Sequence, residues 1–260
     1  MADDSEFPQE LVQRGLRKEL MPQHVAFVMD GNRRWAEAQG LTTAEGQEAG
    51  GRALEYHNIL TEIFISNMEK ILELSVAWGI RVITVFAFSQ ENFRRPVRQK
   101  LVFFLEGVRL HVIGDPSSQA ASLQEAVREA EEMTRNNSRF HMILATCYSG
   151  RWDIVQACRE LAAKVQDKLL NPEDIDEEML AGHLSTNVLG ELACHDMIIR
   201  TSGELRLSNF LLWQSAYTEL YFTNAMWPAF DEEEYILALK DFQSRERRFG
   251  QRKPSQPTSN

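Results

Sequence analysis

The chain has 260 residues, 43% of them hydrophobic, enough for one substantial core and for one or at most two domains. Its 28 basic residues stand against 38 acidic ones, a formal net charge of −10, which excludes general nucleic-acid binding because neutralising a phosphate backbone takes a basic surface. The three cysteines, Cys147, Cys158 and Cys194, make no CxxC pair and suit neither a zinc cluster nor a disulfide framework, and no apolar run approaches the roughly 20 residues of a membrane span.

The acidic start MADDSEFPQE has neither a signal-peptide core nor transit-peptide character, so the chain as given reads as soluble. The first apolar run, HVAFVM (24–29), predicts a buried strand that ends at Asp30. A carboxylate at the carboxyl end of a parallel strand sits where open α/β sheets place their ligands, and Gly31, Asn32, Arg33 and Arg34 then open a helix with outward-pointing N–H groups. Such a turn suits a diphosphate: backbone donors and guanidiniums for its oxygens, and a carboxylate for a bridging Mg²⁺. The same residues read equally as a capped helix with solvated arginines.

A second strand is predicted for RVITVFAFS (81–89), followed by a polar turn with Ser89, Asn92, Arg94 and Arg95 that ends at Pro96. Taken alone this is an ordinary strand-to-helix loop, since Ser and Asn are common turn residues. Further strands are predicted for 108–114, 139–149, 196–201 and 218–223, and helices for 117–135, 151–169 and 231–249, the last opened by acids and ended by basic residues. The strands are continuously rather than alternately apolar, which predicts burial on both faces and a largely parallel sheet. The fold class is therefore α/β, a single domain with a central mostly parallel sheet flanked by helices. Residues 1–20 read as an N-terminal extension, 21–253 as the domain and 254–260 as a disordered polar tail.

The segment MIIRTSGELRLSNFLLWQSAYTELYF (197–222) releases Arg200, Glu204, Arg206 and Ser208 from a buried strand, which suits a second phosphate site. Glu219 lies in the apolar context AYTELYF, where a bare carboxylate is costly, so it meets a metal or an arginine, the plainest alternative being a structural Arg–Glu pair.

HVAFVMDGNRRWA, FAFSQENFRRP, CYSGRWDI, IIRTSGELRLSNFLLWQSAYTELYF, WPAF and RERRFG occur in this order, and together they resemble the cis-prenyltransferases, the family of undecaprenyl and dehydrodolichyl diphosphate synthases, over residues 21–253. The flavour of ELMPQHVAF and RRFGQRK is similar to the plant members. The resemblance implies an undecaprenyl diphosphate synthase-like fold with a hydrophobic tunnel, and an Mg²⁺-dependent prenyltransferase that adds isopentenyl diphosphate to an allylic diphosphate and releases pyrophosphate. It implies Asp30 as the metal-handling catalytic residue with Glu219 as a second metal contact, and Ser89 and Asn92 near the reacting carbons. The turn from Gly31 through Asn32, Arg33, Arg34 and Trp35, together with Arg95, would take the allylic diphosphate. Arg200, Arg206 and Ser208 would take the isopentenyl diphosphate, with Arg248 and Gly250 reaching a diphosphate across a subunit interface. It further implies a homodimer, or a heteromer with an accessory subunit, and a protein that is cytoplasmic or peripheral at the endoplasmic reticulum, or a plastid one if a transit peptide is missing from this chain. Peripheral membrane contact follows from a long apolar product. Candidates for the tunnel wall lie in 82–88 and 142–145, most of which also suit plain core.

The chain departs from the family pattern at Thr43, Gln47 and Gln99, in a long stretch over 51–78 with extra helical turns around 56–70, and in a short segment over 97–107. These departures favour a second reading, a non-catalytic or impaired accessory subunit of a heteromeric synthase, whereas the retained Asp30 and arginines favour the enzyme.

Overall fold

Each of the six apolar runs forms a strand, and the strands pair into one sheet in which every neighbour is parallel. The computed structural model describes residues 7–40, 50–87 and 107–246, and only the backbone of 50–61 and 87. In chain order the elements are α1 (Gln9–Gln13), β1 (His24–Val28), α2 (Asn32–Ala38), α3 (Gly50–Ala77), β2 (Val82–Ala87), β3 (Val108–Ile113), α4 (Ala121–Met133), β4 (Phe140–Thr146), α5 (Gly150–Gln166), α6 (Glu177–Ala181), β5 (Met197–Arg200), β6 (Glu219–Phe222) and α7 (Glu232–Ser244). No described helix is long and apolar enough to cross a membrane.

The strand order β3-β4-β2-β1-β5-β6 fixes where a ligand can sit. From β1 the chain fills one half of the sheet with β2, β3 and β4, then crosses over to place β5 on the other side of β1. That reversal is a topological switch, and open α/β sheets bind ligands in the crevice beyond the carboxyl ends of the two strands that flank it. Asp30 and Thr201, just past β1 and β5, meet across this crevice.

All five residues of β1 are buried, as its continuous apolarity predicts. Strand alternation sends Val25, Phe27 and Met29 to one face and Ala26 and Val28 to the other. The first face carries the larger core, closed by Leu11 of α1, by Ile65, Met68, Ile71 and Leu72 of α3, and by Tyr235, Ile236, Leu239 and Phe242 of α7. At its centre the ring of Phe27 lies edge-on to Trp227, Phe230 and Tyr235, with centroids 5.5 to 5.9 Å apart. On the other face Phe210 stacks on Phe86 at 4.6 Å and meets Tyr148 edge-on. The described tunnel-wall candidates are core: Ile83, Val85, Met142 and Leu144 are buried on the first face, Phe86, Ile143 and Ala145 on the second. Residues 88–106, where the wall would continue, lie outside the described residues.

Several boundaries differ from the sequence expectation for local reasons. The 1–20 segment packs onto the core as far as it is described, with Leu11 and Leu16 buried in the main cluster and Arg14 ion-paired to Glu233. The helix expected over 151–169 stops at Gln166 because Lys168 turns left-handed at φ 57°, and the Lys168 and Leu169 N–H groups bond back to Val165 and Lys164 in a Schellman arrangement. The helix expected over 231–249 stops at Ser244, because Arg245 is extended and donates to Glu219, Asp241 and the Leu220 carbonyl. The long stretch, expected to hold extra helical turns, lies in one helix of 28 residues, Gly50–Ala77, about 42 Å of rise. Side chains from α4 and the turn after it satisfy the open edge of β3: Thr134 and Glu131 accept from the Leu110 and Val112 N–H groups, and Asn137 donates to the Val108 carbonyl.

His24, fully buried at the start of β1, has a defined tautomer. Its Nδ1 donates to the Leu192 carbonyl at 2.8 Å, a group that can only accept, so Nε2 accepts from the Thr84 hydroxyl at 2.7 Å. Burial outweighs these contacts and lowers its pKa to about 4. Between about pH 6.5 and 4 the unfolded chain therefore binds a proton that the folded chain refuses, so stability falls as pH falls through that window, by up to about 3 kcal/mol. Urea unfolding at several pH values should give a wild-type curve steeper over this window than that of His24→Gln, and parallel curves would remove His24 as the cause.

Candidate active site

The main chain of Asp30 is held from both sides of the switch crevice. Its N–H donates to the hydroxyl of buried Thr201 at 2.8 Å, and its carbonyl accepts from that same hydroxyl at 2.8 Å and from the Trp227 N–H at 2.9 Å. Trp227 belongs to the aromatic core and Thr201 follows β5, so the packing of the sheet fixes this residue directly. With its main chain so engaged, the carboxylate is left to the crevice: it is 32% exposed, Oδ1 accepts from the Gly31 N–H at 2.7 Å and Oδ2 from Arg200 Nη2 at 3.0 Å.

Gly31 makes the turn that starts α2. Its φ is 94°, and a Cβ there would lie 2.8 Å from the Cβ of Ser202 and 3.0 Å from Met226, so both conformation and space require glycine. No side chain caps α2, which leaves its first-turn N–H groups at the crevice. Asn32 bonds through Nδ2 to the Met29 carbonyl, with its Oδ1 buried and unpartnered, and Trp35 is half-buried.

The guanidiniums sort into two kinds. Arg200 is a core residue, its side chain 3% exposed, which donates through Nη1 to Ser208 Oγ at 2.6 Å and to the Arg206 carbonyl, and through Nη2 to Asp30. Its Nε is buried without a partner. Arg34 and Arg206 lie toward solvent: Arg34 donates to Ser202 Oγ at 2.7 Å, approaches Glu204 at 3.4 Å and stands 4.0 Å from Asp30, while Arg206 pairs with the same Glu204. Three guanidiniums and two carboxylates thus meet in a crevice with one net positive charge, on a chain whose total is −10. The basic chemistry is local, and anionic ligands are what it suits.

The structure brings Asp30, Gly31, Asn32, Arg34, Arg200, Arg206 and Ser208 to one rim. It does not bring Arg33 or Glu219 there. Arg33 projects outward, 86% exposed, and pairs with Glu37 one turn along α2, because successive helix positions point about 100° apart. Glu219 pairs with Met197 at the amino end of β5, about 10 Å down the strand from the Arg200 row, and forms an ion pair with Arg245 at 2.8 Å. Burial works against the charge of Arg245, yet Glu219 and Asp241 outweigh it and hold its pKa above the ordinary value. Within one chain, then, Glu219 forms an Arg–Glu pair, the plainest alternative in the sequence, with Arg245 as the partner. Ser89, Asn92, Arg95, Arg248 and Gly250, and the departures Thr43, Gln47 and Gln99, lie outside the described residues. The sequence reading missed Thr201 and Ser202, whose only signal was their position directly after the strand.

Among the described residues no group of three or more His, Cys, Asp or Glu side chains assembles a metal cage. A part-exposed single carboxylate beside anion-binding groups nevertheless fits Mg²⁺, which is commonly held by one or two carboxylates together with substrate phosphates and water.

A family profile describing undecaprenyl diphosphate synthases among the prenyltransferases matches residues 28–250. The chloroplastic cis-prenyltransferase 4 of Solanum lycopersicum is 45% identical over 250 residues, covering 90% of this chain and 76% of that protein. Dehydrodolichyl diphosphate synthase 2 of Arabidopsis thaliana is 44% identical over 260 residues, covering 94% of this chain and 79% of the other. Among solved structures, lavandulyl diphosphate synthase from Lavandula x intermedia, in complex with dimethylallyl diphosphate, superposes with a TM-score of 0.76 at 35% identity and covers 90% of this chain and 100% of its own.

Gly31→Ala tests whether the turn is as tight as its geometry indicates. A left-handed conformation and a Cβ inside contact distance together should cost about 2–4 kcal/mol, read as a lower urea midpoint at unchanged slope. A variant as stable as the wild type would show that the turn has room to relax.

Proposed function

The chain belongs to the undecaprenyl diphosphate synthase family of prenyltransferases, and from that footing we propose that it condenses isopentenyl diphosphate with an allylic diphosphate into a cis-polyprenyl diphosphate of the dehydrodolichyl type, with release of pyrophosphate. The observation that carries this reading is the Asp30–Arg200 pair at the β1/β5 switch, flanked by Arg34 on one side and by Ser208 and Arg206 on the other. A two-substrate condensation needs two anion sites a short distance apart, and this crevice has guanidiniums on both sides of one carboxylate.

In the reaction the allylic C1–O bond breaks, the terminal alkene carbon of isopentenyl diphosphate bonds to C1, and a proton is lost as the new double bond forms. Negative charge grows on the departing diphosphate, so groups that meet it more strongly in the transition state than in the bound substrate accelerate the step. Arg34, beside the uncapped start of α2, is placed to do this for the allylic diphosphate, together with Arg95 as the sequence motif implies. Arg200, Arg206 and Ser208 hold the isopentenyl diphosphate. Asp30 would hold Mg²⁺, which when bound would supply positive charge against the diphosphate charge that develops. The buried state of Arg200 means it acts as a fixed donor with no reorganisation at the moment of reaction.

The accessory-subunit reading would gain support from an eroded charge cluster, whereas Asp30, Arg34, Arg200, Arg206 and Ser208 here make one continuous network. The chloroplastic name of the tomato relative supports a plastid location for this chain.

Purified protein with Mg²⁺, labelled isopentenyl diphosphate and a series of allylic primers should incorporate label. Asp30→Ala should lower the rate at least about a hundredfold, as loss of a single transition-state contact commonly does. Incorporation that survives in Asp30→Ala would remove Asp30 from the chemistry. A wild type that is inert with every primer, but active beside a partner synthase, would favour the accessory role.

A further inference from the structure

The loop that carries Ser208 is bent against local preference. Ser208, Asn209 and Leu211 have φ of 50°, 64° and 42°, the left-handed region that is unfavourable for a residue with a side chain and that asparagine tolerates best of the three. Something must hold this bend in place.

Asn209 is bound at three points to the start of α5. Its carbonyl accepts from the Gly150 N–H at 2.7 Å, its Oδ1 accepts from the Arg151 N–H at 3.0 Å, and its Nδ2 donates to Ser149 Oγ at 2.6 Å. Gly150 allows this approach, since a Cβ there would lie 2.9 Å from the Leu212 nitrogen and 3.1 Å from the Asn209 carbonyl oxygen. One residue earlier, Ser208 Oγ accepts from Arg200 Nη1 at 2.6 Å, and the Arg206 carbonyl accepts from the same nitrogen. The loop therefore sets the plane of the Arg200 guanidinium, whose Nε finds no partner to do so.

We infer that Asn209 is a positioning residue for the diphosphate site: by clamping the left-handed loop to the first turn of α5 it fixes Ser208 Oγ, and through it aims Arg200 at isopentenyl diphosphate. The inference rests on the reading of Arg200, Arg206 and Ser208 given above. Asn209 does not itself touch substrate, because both polar atoms of its side chain are occupied on α5. The main chain of Asp30 is held by Thr201 and Trp227 and its Oδ1 by Gly31, and only Oδ2 meets Arg200, so the effect falls mainly on one substrate. The competing account is that Phe210 and Leu211, both fully buried, hold the loop by packing alone and that Asn209 contributes only stability.

Three variants of the full chain separate these accounts. Asn209→Gly keeps left-handed freedom but removes both side-chain bonds. Asn209→Asp keeps an acceptor for the Arg151 N–H and for the Ser149 hydroxyl, and serves as the conservative rescue. Ser149→Ala removes one partner without touching the loop, and remains informative should Asn209→Gly not fold. Calorimetric binding of isopentenyl diphosphate and the KM of each substrate are the readouts. The expected result is a rise of about tenfold in Kd and KM for isopentenyl diphosphate in Asn209→Gly, about threefold in Ser149→Ala, and changes within about twofold for the allylic KM and for Asn209→Asp. In a Ser208→Ala background, Asn209→Gly should add less than about twofold, because both changes act through one contact. A wild type that binds isopentenyl diphosphate and variants that bind it equally well overturn the role of Asn209 alone, as do equal losses for both substrates or effects that multiply in the double variant. A wild type that does not bind isopentenyl diphosphate overturns the reading of the site and this role with it.

Discussion

A guanidinium buried at the carboxyl end of an inner strand is the constraint on which the rest of this structure depends. Arg200 is 3% exposed, and a charge taken out of water persists only where a counter-charge and acceptors are already in place. Asp30 provides the first, and the loop at 206–208 provides the second. The register of β5 on β1, with Arg200 opposite Val28, points both toward the crevice face. A slip of one residue would turn Arg200 toward the aromatic side of the sheet, so the charge penalises the wrong register as strongly as the hydrophobic pattern does.

The two faces of the sheet divide the work. The side with Phe27, Trp227, Phe230 and Tyr235 carries the large aromatic side chains, and it reaches the site through the main chain, since the Trp227 N–H holds the Asp30 carbonyl and Met226 bounds the space beside Gly31. Helix α3 enters the same assembly, because Asn67 Nδ2 donates to the carbonyls of Trp227 and Phe230. Asn67 lies within the stretch where this chain is long, so the extra residues extend a helix already tied to the turn beneath the active site. The opposite face is built from smaller groups and a polar network: buried Asp153 accepts from Tyr148, from Ser185 and from Gln214, and so joins α5 to the segments on either side of the Ser208 loop.

The strands were legible in the sequence because burial on both faces leaves a continuous apolar run, and each observed strand falls inside its run. The site was half legible. Asp30, Arg34, Arg200, Arg206 and Ser208 could be picked out because a charged or polar residue just beyond a buried strand has few structural reasons to be there. Arg33 could not be told from Arg34, because adjacent guanidiniums read alike in a sequence whereas a helix turns them apart. The partner of Glu219 was not legible, because a carboxylate in an apolar strand signals a partner without saying which end of the strand that partner occupies. Thr201 carried no signal beyond its place directly after the strand and Asn209 carried none, since one works by bridging a main chain and the other by tolerating a left-handed turn, and neither task marks a residue as unusual in composition or spacing.

The charge balance explains how such a site binds anions on an acidic protein. Beyond a Debye length of about 8 Å at physiological salt the distant carboxylates are screened, while groups in contact with a ligand are not. The local excess of guanidiniums therefore decides the sign that a ligand meets. Glu204 adds a second effect: it holds Arg34 and Arg206 together, so the two exposed side chains are already gathered when an anion arrives. Neither arginine then has to be ordered from a free state when its own diphosphate arrives, which reduces the side-chain entropy lost on binding. Arg200 needs no such arrangement, because the interior already immobilises it, and the site combines one buried, fixed donor with two exposed ones gathered on Glu204.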